Sequence, residues 1–214
     1  MEVEIAVRRR IFPDSRIYTP IFDYLVLFEA IMRSVESFRV PPKTTFSNEF
    51  ARVNCLRFDH ALALPLWGPL EHAIAEKPFP GIVIGKMDNL RDSPFPAGSL
   101  TTNGFATVIR HTMIATYLAY FERYNEWLTA NLGKKAHLTW PPTLNFARVI
   151  RNAAAHGSIN IRDAATPPVH WRGLSYDHAS SGNSIIGADM TNGDMLELIF
   201  DTSDELDKLG VPIL

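Results

Sequence analysis

The sequence predicts an all-α fold: an antiparallel helical bundle with a short extended or β-hairpin-like segment before the last helix. Long segments place apolar residues three and four positions apart, as on the buried face of a helix. Proline and glycine mark where these segments end. The chain has 214 residues, of which 46% are hydrophobic. We therefore expect residues 1–214 to form a single domain with a sizeable core.

Residues 14–39 predict the first helix, because their apolar side chains recur at helical spacing. Pro20 falls in the first turns, where proline is tolerated, so the regular helix is expected to begin there. Pro41 and Pro42 end the segment, because proline cannot continue a helix.

Two further helices are predicted in the middle of the chain. The second is expected to start after Thr44 or Thr45 and to be interrupted near Pro65. The third covers about residues 101–131, where a wide apolar stripe is followed by Gly133 as a stop. The inner side of the second helix would carry Phe46, Phe50, Val53, Leu56 and Leu64.

Residues 77–100 form an insertion with four prolines and three glycines. Connections of this length are uncommon in compact domains unless they have a function. The segment could act as a lid near the site or as a dimerisation arm, or it could be an ordered part of the packing. Its Gly-Lys pair lacks the glycine spacing and the Ser or Thr of a phosphate-binding loop.

The last third contains a helix, an extended segment and a final helix. A helix is predicted after residues 140–143, with Pro142 in its first turn. Residues 169–176 alternate in polarity, which suits a strand or an extended arm. The final helix is predicted over about residues 193–208.

Composition excludes several classes of protein. The formal net charge of −2 rules out a broadly basic nucleic-acid binder, so any RNA contact must be local. The single cysteine, Cys55, cannot form an internal disulfide, which fits a reducing compartment. No apolar run reaches about 18 residues, so no membrane association is expected and a cytoplasmic location is the default. The histidines follow no zinc-binding spacing.

The most informative stretch is residues 148–158, RVIRNAAAHGS. Asn152 and His156 are four positions apart and therefore share a helical face. Arg151 is offset from the line through Asn152 and His156, but its long side chain can bend across the surface toward the imidazole of His156. The small Ala155 between them leaves a shallow notch, and Gly157 suits the end of the helix.

This motif resembles the hallmark of the HEPN domain family: an Arg, four to six spacers of which the first is polar, and then a His late in a helical bundle. Arg151, Asn152 and His156 match it, and the tail after the motif is similar to that of several bacterial HEPN proteins. The resemblance implies a homodimer through the motif helix and metal-independent cleavage of RNA without a cofactor. It also suggests a toxin–antitoxin or anti-phage defence setting, with an antitoxin protein as a further partner.

The residue types are consistent with that chemistry. Histidine can transfer protons near neutral pH, and arginine pairs with phosphate oxygens. We expect His156 to transfer the proton and Arg151 to hold the phosphate and stabilise its added charge. Asn152 would orient the imidazole or hold the phosphate. Each is equally typical of a solvated helix face, and a non-catalytic module that binds a nucleotide, RNA or a protein is the alternative. Arginines around the motif could bind RNA or be ordinary surface charges: Arg148, Arg162 and Arg172.

Overall fold

A computed structural model describes residues 5–37, 50–88, 104–135 and 139–214. The protein is mixed α/β, because a four-stranded antiparallel sheet and a two-stranded hairpin accompany its helices. The expected all-α bundle is therefore wrong. The chain divides into two compact units. The first contains residues 1–55 and 59–116, and the second contains residues 56–58 and 117–214.

The first unit is built on the four-stranded sheet. In space its strands follow the order first, fourth, third and second along the chain, and every neighbouring pair is antiparallel. The elements are β1 (Ala6–Ile11), α1 (Tyr18–Ser37), β2 (Phe50–Asn54), β3 (His60–Pro65), α2 (Pro69–Ile74), β4 (Ile82–Asp88) and the first part of α3 (Gly104–Leu132).

Helix α1 confirms the first predicted helix. The second predicted helix is wrong, because β2 and β3 occupy most of its span and pair with each other. Residues 61–64 of β3 are fully buried, and a short apolar run of this kind has the same pattern in a buried strand and in a buried helix. These residues form a strand because β3 pairs with β4, which lies further along the chain. Phe46 lies outside the described residues.

Part of the predicted insertion is an interior strand. Residues 82–88 form β4, which lies between β1 and β3, and its Ile82 and Ile84 are buried. Gly85 permits this close packing, because a Cβ there would collide with Ile5 and lie 3.0 Å from the Cβ of Ala63. This part of the insertion therefore belongs to the packed sheet. Residues 89–100 lie outside the described part of the chain.

The second unit is mainly helical. Four predicted elements are confirmed here. The third helix is α3, the motif helix is α4 (Pro142–His156), the extended segment is the hairpin of β5 (Val169–Trp171) and β6 (Leu174–Tyr176), and the last helix is α5 (Asn192–Lys208). Trp171 of the hairpin packs on α4, with its ring centroid 5.6 Å from that of Phe146.

Buried polar side chains hold α4 and α5 in place within this unit. The Tyr117 hydroxyl on α3 donates to the carbonyl of Ala147 on α4 at 2.8 Å. The buried Asp194 carboxylate near the start of α5 accepts from the backbone N–H groups of Leu56 and Arg57 at 3.0 and 2.9 Å. Along the described ranges, no helix combines the length and the apolar character needed to cross a membrane.

Candidate functional site

A cavity of about 370 Å³ lies in the second unit, beside the C-terminal half of α4. Helix α4 contributes three of its side chains, and the segment after the helix contributes most of the others. The lining residues are Lys134, Arg148, Asn152, His156, Asn160, Ile161, Arg162, Asp163 and Thr166.

One face of α4 forms a wall of this cavity. Arg148, Asn152 and His156 follow one another at four-residue intervals, so their side chains line up along the helix. The opposite side of the helix is apolar and buried. Gly157 then ends α4 with a φ of 81°, which L side chains rarely adopt, and its N–H donates to the carbonyl of Ala153 at 2.8 Å.

The guanidinium of Arg148 is held by the buried side chain of Asn145. Its Nε and Nη2 donate to Asn145 Oδ1 at 3.2 and 3.0 Å. Burial lowers the pKa of Arg148 from its ordinary value. Arginine nonetheless keeps its charge in proteins, so a partly desolvated cation faces the cavity.

The segment after α4 is fixed by hydrogen bonds to residues further along the chain. The backbone N–H of Ile161 donates to Ser181 Oγ at 3.0 Å, and its carbonyl accepts from His178 Nδ1 at 2.7 Å. Asp163 Oδ1 accepts from the N–H of Ala165 at 2.9 Å, which closes a local turn. This network places Arg162 and Asp163 beside the end of the helix.

The cavity has an excess of positive charge. Lys134, Arg148 and Arg162 form no salt bridge with any residue that the structure describes, and the imidazole of His156 has no hydrogen-bond partner there. Among the described lining residues, Asp163 provides the one carboxylate. Cations without carboxylate partners can bind an anion without first breaking an ion pair.

Arg151 does not line the cavity. Its Nε and Nη2 pair with Glu122 Oε1 on α3, and its Nη1 donates to Asn152 Oδ1 at 2.9 Å. Arg172 also lies elsewhere: its guanidinium contacts Asp201, with Nη2 3.2 Å from Oδ2, and sits 5.2 Å from the ring centroid of Phe58.

The structure therefore brings together four of the six residues selected from the sequence. Asn152, His156, Arg148 and Arg162 line one cavity, whereas Arg151 and Arg172 do not. Four-residue spacing on α4 places Arg148 on the same face as Asn152 and His156. Sequence reasoning missed several lining residues because nothing in their local pattern links them to the motif: Lys134, Asn160, Asp163 and Thr166.

No group of three or more His, Cys, Asp or Glu side chains among the described residues is arranged to hold a metal ion. Comparisons with protein-family models, curated proteins and solved structures give no match to this chain. The HEPN resemblance thus rests on the motif residues, and the fold differs from the all-α bundle that it implied.

Proposed function

We propose that the protein is an RNA-binding endoribonuclease that holds the phosphodiester in this cavity and cleaves it without a metal ion. One observation carries the proposal. Three cations without carboxylate partners, Lys134, Arg148 and Arg162, converge with the imidazole of His156 on a cavity large enough for a nucleotide-sized ligand.

The binding part of the proposal follows from charge. Arginine presents N–H donors in a planar fork that matches phosphate oxygens, and lysine adds a compact charge. Because the whole chain has a net charge of −2, attraction to a polyanion must be local to a surface such as this one. Single-stranded RNA is the class of ligand that such a cavity fits, because a single strand can place one phosphate inside it.

The chemical part uses the 2′-hydroxyl of the substrate. Its oxygen attacks the adjacent phosphorus and forms the 2′-O–P bond, while the bond from phosphorus to the 5′-oxygen breaks. One group takes the proton of the 2′-hydroxyl, and another gives a proton to the departing 5′-oxygen. The products are a 2′,3′-cyclic phosphate and a 5′-hydroxyl end, and no redox change occurs.

His156 is the proton-transfer group in this scheme, because its ring makes no hydrogen bond to the described residues and faces the cavity. Arg148 takes the phosphate-holding role that the sequence had given to Arg151, because Arg148 lines the cavity. Two groups can supply the second proton transfer: Asp163 of the same cavity, or His156 of a second chain in the dimer that the motif implies. A specific activity that rises with protein concentration distinguishes the dimer.

The cellular part of the proposal rests on the motif resemblance. A cytoplasmic toxin–antitoxin or anti-phage role fits an RNA-cleaving protein that needs no cofactor. A neighbouring gene for a small antitoxin or a nucleotidyltransferase would support this setting.

The test is incubation of the protein with single-stranded RNA in EDTA, followed by analysis of the fragment ends. We expect cyclic phosphate ends from the unmodified protein and from His170→Ala, which removes an exposed histidine that does not line the cavity. His156→Ala should leave the RNA intact. RNA that is bound but never cleaved by the unmodified protein would overturn the nuclease and leave the non-catalytic binding module, which the single imidazole in the cavity favours.

A further inference from the structure

We infer that Arg151 is a positioning residue that orients the side-chain amide of Asn152, so that the cavity presents hydrogen-bond donors to a phosphate. The inference rests on the proposed function, because it assigns Arg151 a role in the same phosphate site. It also reverses the role expected from the sequence, in which Arg151 itself held the phosphate.

A chain of three side chains carries the inference. Glu122 on α3 pairs with Nε and Nη2 of Arg151, and Nη1 of Arg151 donates to Asn152 Oδ1 at 2.9 Å. Asn152 lines the cavity, whereas Arg151 and Glu122 do not. The carboxylate therefore holds one edge of the guanidinium, and the guanidinium holds the amide.

The contact with Arg151 determines which end of the Asn152 amide faces the cavity. Asparagine can point either an acceptor oxygen or a donor NH2 group at a ligand. Arginine has no acceptor, so it can pair only with the oxygen. This leaves Nδ2 of Asn152, which makes no hydrogen bond within the described residues, available to the cavity. An amide turned the other way would place a partial negative charge against the phosphate.

The charge of Arg151 contributes little to the site directly. Glu122 neutralises it at short range, and the pair lies outside the lining. Arg151 should consequently affect affinity through Asn152 and leave the number of cation–phosphate contacts unchanged. A cation that contacts phosphate behaves differently, because its removal lowers the slope of log affinity against log salt by about 1.

A double-mutant cycle tests the inference. The affinity for a 2′-O-methylated single-stranded RNA is measured over a range of salt for the unmodified protein, Arg151→Met, Asn152→Ala and the double variant, with Arg148→Gln as the charge control. Arg151→Met should weaken binding about 2- to 10-fold, the worth of one ordinary hydrogen bond, without changing the salt slope. In the Asn152→Ala background the same substitution should have no further effect.

The outcomes separate this inference from the proposed function. A reduced salt slope for Arg151→Met, or an undiminished effect in the Asn152→Ala background, would show that Arg151 binds phosphate directly and would overturn the positioning role. Equal midpoints of urea unfolding for the four proteins exclude a general loss of structure. If the unmodified protein binds neither RNA nor inorganic phosphate, the proposed function itself fails.

Discussion

Arg148 and His156 lie on one face of α4, about two helical turns apart, and both line the cavity. Neither forms an ion pair with the residues that the structure describes. Arg151 lies between them in the sequence but turns toward Glu122. The surface of the helix that we propose binds phosphate is therefore the line through Arg148, Asn152 and His156, which face the cavity.

Replacement of Arg148 should weaken RNA binding. A charge-assisted hydrogen bond contributes about 1.5–3 kcal/mol, so Arg148→Gln should reduce the affinity for single-stranded RNA at least about tenfold. Arg172→Gln is the matched control, because Arg172 contacts Asp201 outside the cavity. Fluorescence anisotropy with labelled RNA measures both. Equal losses for the two variants would mean that RNA does not bind in the cavity.

A carboxylate at position 145 should offset the positive charge of Arg148, because the side chain of residue 145 contacts that guanidinium. The side chain of Asn145 is buried against Arg148, and Asn145→Asp keeps its shape and its acceptor while adding a negative charge. We expect RNA affinity to fall about tenfold or more, the worth of one charge-assisted contact. Asn183→Asp adds the same charge at an exposed position outside the cavity and should have little effect. A filter-binding assay compares them, and unchanged affinity in Asn145→Asp would contradict the role of Arg148.

Binding should depend little on base identity. No aromatic side chain occurs among the described residues that line the cavity, and stacking on aromatic rings is the common way in which proteins hold unpaired bases. We expect the affinities for oligo-A, oligo-U and oligo-C of equal length to agree within about 1.4 kcal/mol, or tenfold. A larger preference for one base, measured by competition, would show that base contacts elsewhere dominate recognition.

Alkaline pH should destabilise the contact between α3 and α4. Burial raises the pKa of Tyr117 well above its ordinary value of 10.0, with a smaller contribution from Tyr120. A pKa that is raised by folding gives stability that is present below about pH 10 and lost as the pH rises further. Tyr117→Phe should cost about 1 kcal/mol at neutral pH, the worth of its hydrogen bond to Ala147.

The same variant should lose less stability between pH 9 and pH 11, roughly the range over which an unfolded tyrosine titrates. Some alkaline loss should persist, because burial also raises the pKa of Tyr176. Urea unfolding at several pH values measures the difference. An identical pH dependence in the two proteins would refute the assignment to Tyr117.

Asp194 should be essential for stability. Its carboxylate accepts from the N–H groups of Leu56, Arg57 and Thr191, so Asp194→Ala leaves three backbone donors without this acceptor. A hydrogen bond to a charged group contributes about 1.5–3 kcal/mol, and these three are partly buried, so a loss of about 3 kcal/mol is expected. Asp204→Ala, at an exposed position on the same helix, should change stability by less than about 0.5 kcal/mol. Equal urea midpoints for the two variants would argue against this role.

The long helices could be predicted from the sequence because their signals are local. Helix α3 buries an apolar stripe between Met113 and Leu128 and stops before Gly133. Helix α4 begins at Pro142 and ends before Gly157. Strand β3 gave no such signal. Its residues are buried without alternation. Its pairing with β4, which follows only after α2, determined its structure.

In the candidate site, too, local spacing was predictable from the sequence and contacts between distant segments were not. Helical spacing was enough to place Asn152 beside His156 on one face. The direction of Arg151 depends on Glu122, which lies on another helix, and sequence spacing carries no information about that partner. Lys134 reaches the cavity from the segment after α3, where a lysine has no pattern that distinguishes it from a solvated surface charge.

The most direct test of the proposed nuclease compares one RNA with its fully 2′-O-methylated counterpart, in EDTA, with the unmodified protein and His156→Ala. Methylation removes the attacking hydroxyl and keeps the phosphates. We expect all four combinations to bind, only the unmodified protein with unmodified RNA to give cleavage, and the new ends to be 2′,3′-cyclic phosphates. Cleavage of the methylated strand, or equal cleavage by His156→Ala, would contradict the proposed nuclease activity.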